Sequence, residues 1–311
     1  MGNQGMGNQG PHGRSRRKRP GHRPRAAGVV AAAVAVVLGA AGCDSDGDTT
    51  APRPSATAHA PVWDRGPDSI AAVGDSITRG FDACNVLSDC PTVSWATGSD
   101  ASVDSLAVRL LGRADAAEHS WNYAVTGARM ADVPAQMARA ARRRPELVTV
   151  MAGANDACRP STKQMTPVAD FRSEFKDALA TLRKKLPRTQ VYVSSVPNLK
   201  RLWAQGRTSA LGKQIWKLGI CPSMLGDADT LDPAATLRRD TVEKRVEEYN
   251  KVLKEVCAKN TRCRFDGDAV HDYRFGPAQL SHWDWFHPSR DGQARLAEIA
   301  YRTITAKNPV T

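Results

Sequence analysis

From about residue 69 onward, apolar residues follow two alternating rhythms. Short apolar runs stand at 69–75, 121–125, 146–152, 190–196 and 262–266, and several are continuously apolar. Central parallel strands, buried on both faces, read this way. Between and after them, apolar positions recur at helical spacing over 102–113, 129–143, 168–186, 236–259 and 289–305. Phe171, Phe175, Leu179, Leu182 and Leu186 make one stripe; Val242, Val246, Tyr249, Val252, Leu253 and Val256 make the longest. This alternation predicts a parallel sheet with helices on both faces. No internal repeat is found. Two segments, 81–101 and 198–235, break the rhythm. The second holds Leu199, Leu202, Trp203, Leu211, Ile215, Trp216 and Leu218. Either these side chains form an apolar wall or lid over a site, or they anchor a long loop to the domain.

Upstream of the domain the pattern changes character. Residues 1–25 carry seven basic residues (Arg14, Arg16, Arg17, Lys18, Arg19, Arg23, Arg25) and no acid. A charge-free apolar run, Ala26–Ala41, follows. A basic head, a short apolar stretch and small residues at its end read as an export signal. The run is short for a spanning helix, which needs about 20 residues. It ends Ala40-Ala41-Gly42-Cys43, which resembles a bacterial lipobox with Cys43 as the lipidated first residue of the mature chain. Ala40 stands where such motifs usually carry leucine, and plain secretion is the alternative. Residues 44–62 are small, polar and proline-containing, a flexible tether. The expected organisation is therefore signal at 1–43, tether at 44–62 and one domain at 63–308, long enough for a single core. The expected location is outside the cell, held at the membrane by a lipid anchor or secreted.

This division explains the charge. The chain has 44 Lys+Arg and 32 Asp+Glu, a net charge of +12. Without the seven basic residues of the head, 37 remain against 32. The basicity is mostly a targeting feature, and no interleaved basic and aromatic stripe marks a nucleic-acid partner. Apart from Cys43, six cysteines remain: Cys84, Cys90, Cys158, Cys221, Cys257 and Cys263. An even count in an exported chain implies disulfides, with fifteen pairings open. Cys84–Cys90 and Cys257–Cys263 are favoured because both close short loops, leaving Cys158–Cys221. No zinc-type C-x₂-C pair occurs, so neither a metal nor a cofactor is expected.

The first apolar run ends in Gly74-Asp75-Ser76, placing a hydroxyl at the carboxyl end of a strand, where open α/β sheets put their chemistry. Three later stretches accompany it: Asn122-Tyr123-Ala124-Val125-Thr126-Gly127, Gly153-Ala154-Asn155-Asp156 and Asp284-Trp285-Phe286-His287. Together, in this order, the four blocks resemble those of the SGNH (GDSL-type) hydrolases over about residues 68–305. The segment Ser94–Asp100 and Cys158 resemble the phospholipase-B-like branch. The resemblance implies a three-layer α/β/α fold on a five-stranded, flavodoxin-like parallel sheet.

The chemistry agrees. Ser76 is the expected nucleophile and needs a positioned base. His287 can take its proton and later return it to the leaving group. Asp284, three residues earlier, can reach one ring nitrogen and fix the tautomer. Pro288 biases His287 toward extended backbone. The resemblance assigns the oxyanion donors to the Ser76 and Gly127 N–H groups and the Asn155 side chain. A Cys158–Cys221 bond would brace that Asn155 loop against the long insertion. Asp75 is expected to order the turn. His271 and His282 are near His287 in sequence but are not assigned a direct role.

These features predict a monomeric serine esterase acting on small-molecule or lipid-like carboxylic esters through an acyl-enzyme. The alternatives are an esterase for short-chain or carbohydrate O-acyl groups, and an inactive hydrolase fold serving as a surface binding lipoprotein.

Overall fold

The computed structural model describes residues 63–308. The expected signal, the Cys43 motif and the tether lie outside the described residues. Five strands form one parallel sheet: β1 (Ile70–Gly74), β2 (Ser120–Asn122), β3 (Leu147–Met151), β4 (Gln190–Val193) and β5 (Cys263–Phe265), in the order β2-β1-β3-β4-β5. β1, β3 and β4 are buried along their whole length, which is why their sequences are mostly apolar and do not alternate, Thr149 and Gln190 being the polar exceptions.

Helices α1 (Leu106–Leu111) and α2 (Arg113–His119) lead from β1 to β2, and α3 (Val133–Ala140) leads to β3. Helices α4 (Ala154–Ala157) and α5 (Val168–Lys185) lead to β4. Then come α6 (Leu199–Gly206), α7 (Ala210–Trp216), α8 (Pro222–Leu225) and the long α9 (Pro233–Ala258) before β5. Helices α10 (Ala269–Asp272) and α11 (Arg290–Thr305) close the domain. Helices α3, α5 and α9 pack together in one layer, and α1 packs with α11. The expected five-stranded parallel sheet with helices on both sides is thus the observed fold. Among the described residues no helix is long and apolar enough to cross a membrane.

The chain passes from β1 outward to β2, then returns to β3 on β1's other side. Strand order therefore reverses between β1 and β3, and ligands of such sheets bind beyond the strand ends at that point. Gly74 is the tightest position there. Its φ is +146°, and an added Cβ would stand 2.1 Å from the Met151 carbonyl oxygen. Only glycine lets β1 end flush against β3.

The departures from the predicted elements have local causes. The helix expected over 102–113 is two, broken at Gly112 with φ +80°. The second half gives no sequence signal, because Arg113–His119 buries only Ala116 and shows no apolar stripe. The insertion 198–235 is not a plain loop. Asn198 and Ser209 cap α6 and α7 through their side chains, and Pro222 opens α8. Strands β2, β4 and β5 are shorter than the apolar runs that announced them.

Three disulfides are present, in the favoured pairs: Cys84–Cys90, Cys158–Cys221 and Cys257–Cys263. A second fastening was not foreseen. Arg239 of α9 is almost wholly buried, yet its guanidinium donates to the carbonyls of Met224, Gly226, Asp227 and Thr230. It also lies 4.1 Å from the centre of the Trp203 ring. One side chain thereby ties the end of the insertion to the domain.

Candidate active site

The turn after β1 presents Ser76. The Asp75 carboxylate accepts the Ile77 N–H at 3.0 Å, and the Ser76 carbonyl accepts the N–H groups of Arg79 and Phe81 at 3.1 and 3.0 Å. Behind the turn, Gln136 of α3 grips Gly74 on both sides. It accepts the Gly74 N–H at 2.7 Å and donates to the Gly74 carbonyl at 3.0 Å. Gln293 of α11 donates to the Ile77 carbonyl and accepts from the Trp95 N–H, both at 2.9 Å. The turn is therefore held from both helical layers. Burial pushes the Asp75 carboxyl up to about 7, opposed by its bond to Ile77.

His287 arrives from the loop before α11. Its Nε2 lies 2.9 Å from Ser76 Oγ, and its Nδ1 lies 2.5 Å from Asp284 Oδ2. The other carboxylate oxygen of Asp284 accepts the N–H groups of Phe286 and His287, both at 3.0 Å. This local turn is why a three-residue spacing suffices: the carboxylate that folds the loop also faces the ring. Asp284 is fully buried. Burial pushes its carboxyl up, but the His287 ring and these donors outweigh that and hold it below the usual carboxylate range. For His287, burial opposes the charged ring, yet Asp284 outweighs it and raises the imidazole above its ordinary value. An ionised Asp284 fixes the neutral tautomer with the proton on Nδ1, leaving the Nε2 lone pair toward Ser76.

The three expected oxyanion donors converge on the same space. Ser76, Gly127 and Asn155 all line one cavity with His287. Among the described residues neither the Ser76 nor the Gly127 N–H has an acceptor. Gly127 has φ +82°, and an added Cβ would meet nothing within 4 Å. Asn155 spends one amide hydrogen on the Ala128 carbonyl at 3.0 Å, which aims the group and leaves its second hydrogen for the cavity. Asp156 couples the two loops by accepting the Met130 N–H at 2.9 Å and the Thr166 hydroxyl at 2.8 Å. Its burial pushes the carboxyl up to about 6.

The cavity holds about 200 Å³. Beyond the polar groups its walls are Ile77, Phe81, Leu199, Leu202, Ile220 and Phe286, and the Cys158–Cys221 bond lies in the wall. Both readings of the insertion 198–235 thus hold for different side chains. Leu199, Leu202 and Ile220 face the cavity, Trp203 and Trp216 are buried anchors, and Leu211 and Leu218 are exposed. Residues 81–101 follow the nucleophile in sequence and are the natural candidate to line one side of the site, but they do so through one side chain. Of that segment only Phe81 reaches the cavity; Trp95 is buried and donates through its indole N–H to Thr78, supporting the nucleophile turn from behind. His271 bonds to the Val196 carbonyl and the His282 ring packs at a tilt against Trp283; neither lines the cavity.

Several supporting residues gave no sequence signal. Besides Gln136 and Gln293, the Trp216 indole N–H donates to the Asp284 carbonyl at 2.6 Å, so the insertion steadies the His287 loop. Phe81 lies 4.9 Å from the His287 ring. Each is a lone residue in a helix or loop, and its role exists only through contacts with distant segments.

A serine hydroxyl, an imidazole and a buried carboxylate stand in one hydrogen-bonded line, opening on a cavity with unengaged N–H donors on a doubly wound α/β sheet, an arrangement that can carry serine-hydrolase chemistry. The model of the GDSL-like lipase/acylhydrolase family matches residues 70–300, and the chain belongs to that family of ester-hydrolysing enzymes. The chain is also similar to solved structures. A Parabacteroides merdae protein described as GDSL-like lipase shares 18% identity over 80% of this chain and 100% of its own, with a TM-score of 0.45. LAE5, an α/β hydrolase enzyme from the metagenome of Lake Arreo, shares 18% over 76% and 94%, with a TM-score of 0.46. The extracellular lipase of Streptomyces rimosus shares 18% over 75% and 99%, with a TM-score of 0.40. No curated protein matches the sequence.

Proposed function

We propose that this protein is an exported, lipid-anchored serine esterase that hydrolyses carboxylic esters with apolar acyl chains. The observation that carries the reading is the Ser76–His287–Asp284 line opening directly on an apolar cavity. Ser76 Oγ attacks the ester carbonyl carbon as its proton passes to His287 Nε2. The carbonyl oxygen becomes an oxyanion and accepts hydrogen bonds from the Ser76 and Gly127 N–H groups and Asn155 Nδ2. The tetrahedral adduct collapses, the proton on Nε2 goes to the leaving alkoxide, and an alcohol departs. Water then attacks the Ser76 ester with His287 as base, and the carboxylic acid leaves.

The acyl chain is placed against Leu199, Leu202, Ile220 and Phe286, which favours lipid-like over carbohydrate O-acyl esters. The phospholipase-B-like likeness of Ser94–Asp100 points the same way. Location rests on the export-signal reading of residues 1–43 and on Cys43: lipidation there would hold the enzyme on the extracellular side of the cell membrane. The test is a p-nitrophenyl ester series from acetyl to decanoyl. Each methylene buried contributes about 0.8 kcal/mol, so kcat/KM should rise about fourfold per carbon until the cavity is full. A flat or falling series rejects the apolar-acyl reading. Fluorophosphonate should label the wild type and not Ser76→Ala; a folded wild type that stays unlabelled would favour an inactive binding protein.

A further inference from the structure

A third carboxylate stands behind the Asp284–His287 pair, and the proposed reaction assigns it no role. Asp82 is about 1% exposed. One of its oxygens, one of Asp284 and one ring nitrogen of His287 lie within 4.8 Å of one another. Both Asp82 oxygens are buried and neither has a hydrogen-bond donor. Asp284, in contrast, already accepts from the ring and two N–H groups, with one of its about four acceptor sites left. Two carboxylates this close cannot both be charged at low cost, so one keeps a proton. The donors choose which: Asp284 is ionised, and Asp82 carries the proton.

The surrounding chain fixes this arrangement. Asp82 adopts φ +57°, a left-handed conformation that aspartate and asparagine tolerate better than other side chains. Its N–H donates to the Ser88 carbonyl at 3.0 Å, inside the loop closed by Cys84–Cys90. Its carbonyl accepts the Ser281 hydroxyl at 2.6 Å, at the start of the loop that carries Asp284 and His287.

We propose that Asp82 is a positioning residue, whose carboxylic acid donates a hydrogen bond to Asp284 and so holds that carboxylate against His287. The inference rests on the triad reading above. It has a consequence for proton bookkeeping. If Asp82 gives up its proton, a second negative charge faces the ring and favours the imidazolium, which cannot act as a base. The other ionisable groups facing this cluster are Asp75 at the end of β1, which acts on His287, and Asp156 behind Asp75. The neighbouring cations are engaged elsewhere, Arg79 with Asp89 and Arg290 with Asp100. Burial, then the Asp284 charge, push the Asp82 carboxyl up to about 7, in keeping with the geometry.

The experiment compares Asp82→Asn and Asp82→Ala with wild type in kcat/KM against pH. Asparagine keeps the shape, the tolerance of φ and a donor, but cannot become an anion. Asp82→Asn should keep at least about half of the maximal kcat and leave the acid limb within about half a pH unit of the wild type, because a neutral amide replaces a neutral acid. Asp82→Ala should lose kcat tenfold or more, since the donor to Asp284 is gone. An acid limb displaced by more than about half a pH unit in Asp82→Asn, the mark of an anion already beside the ring, or an asparagine variant no better than alanine, overturns the proposal. In the wild type, carboxyl carbon NMR should show Asp82 titrating well above the ordinary aspartate range; ordinary titration near pH 4 overturns it without any variant. Ser76→Ala separates the levels. If it stays active, the triad reading fails; if it is dead while the Asp82 outcomes fail, only the Asp82 proposal falls.

Discussion

Asn155→Ala probes the oxyanion site at one donor. The side chain has two amide hydrogens, and one is already spent on the Ala128 carbonyl at 3.0 Å. Only the second can reach substrate, so the substitution removes a single donor while the Ser76 and Gly127 N–H groups remain. Removing one such donor costs about 10²–10³ in kcat, or about 2.7–4 kcal/mol. The bond is stronger to an oxyanion than to a ground-state carbonyl, so KM should change by less than about threefold. The same change strips a donor from Ala128, a stability loss of about 1 kcal/mol that is read separately from the urea midpoint. The assay is steady-state hydrolysis of one p-nitrophenyl ester, with fluorophosphonate labelling to show that Ser76 remains reactive. A rise in KM at unchanged kcat would place Asn155 in ordinary substrate binding and refute the reasoning, as would a loss of kcat below about fivefold in a folded variant.

Other expectations follow from the same contacts. Because the base must be neutral and Asp284 outweighs burial in raising His287, kcat/KM should climb with pH through an apparent value above the ordinary 6.5. Asp284→Asn should lower kcat about 10⁴-fold and shift that limb to lower pH, and an unmoved limb would contradict the assignment. Replacing Cys158 and Cys221 together by alanine opens a cross-link spanning 63 positions; the expected loss is about 4 kcal/mol in chemical denaturation, together with a flatter chain-length profile. Arg239→Met removes four hydrogen bonds and leaves the Met224 and Thr230 carbonyls without a donor, while Gly226 keeps Arg238 and Asp227 keeps the Thr230 N–H; it should cost about 3 kcal/mol, with early proteolytic cleavage between residues 217 and 231. Resistance equal to wild type would show that the insertion is held by other means.

The sequence by itself determined the strand–helix alternation, because burial on both faces of a parallel strand leaves an uninterrupted apolar run. It also exposed, at strand ends and in loops, the groups that the proposed chemistry uses: Ser76, Gly127, Asn155, Asp284 and His287. Such side chains combine reactive types with turn residues that serve no core, so they stand out locally. The Asp284–His287 spacing was legible because one short turn satisfies it. Tertiary structure alone decided the rest. Gln136, Gln293, Trp216 and Asp82 look like ordinary helix or loop residues, and their importance comes from distant backbone and side-chain partners between 62 and 216 positions away. The cavity wall was likewise undecided by composition: Leu202 and Leu211 are the same residue in the same insertion, yet one lines the cavity and the other is 48% exposed. Hydrophobicity drives both toward burial without direction, and only the packing of α6 and α7 against the His287 loop settles which one succeeds.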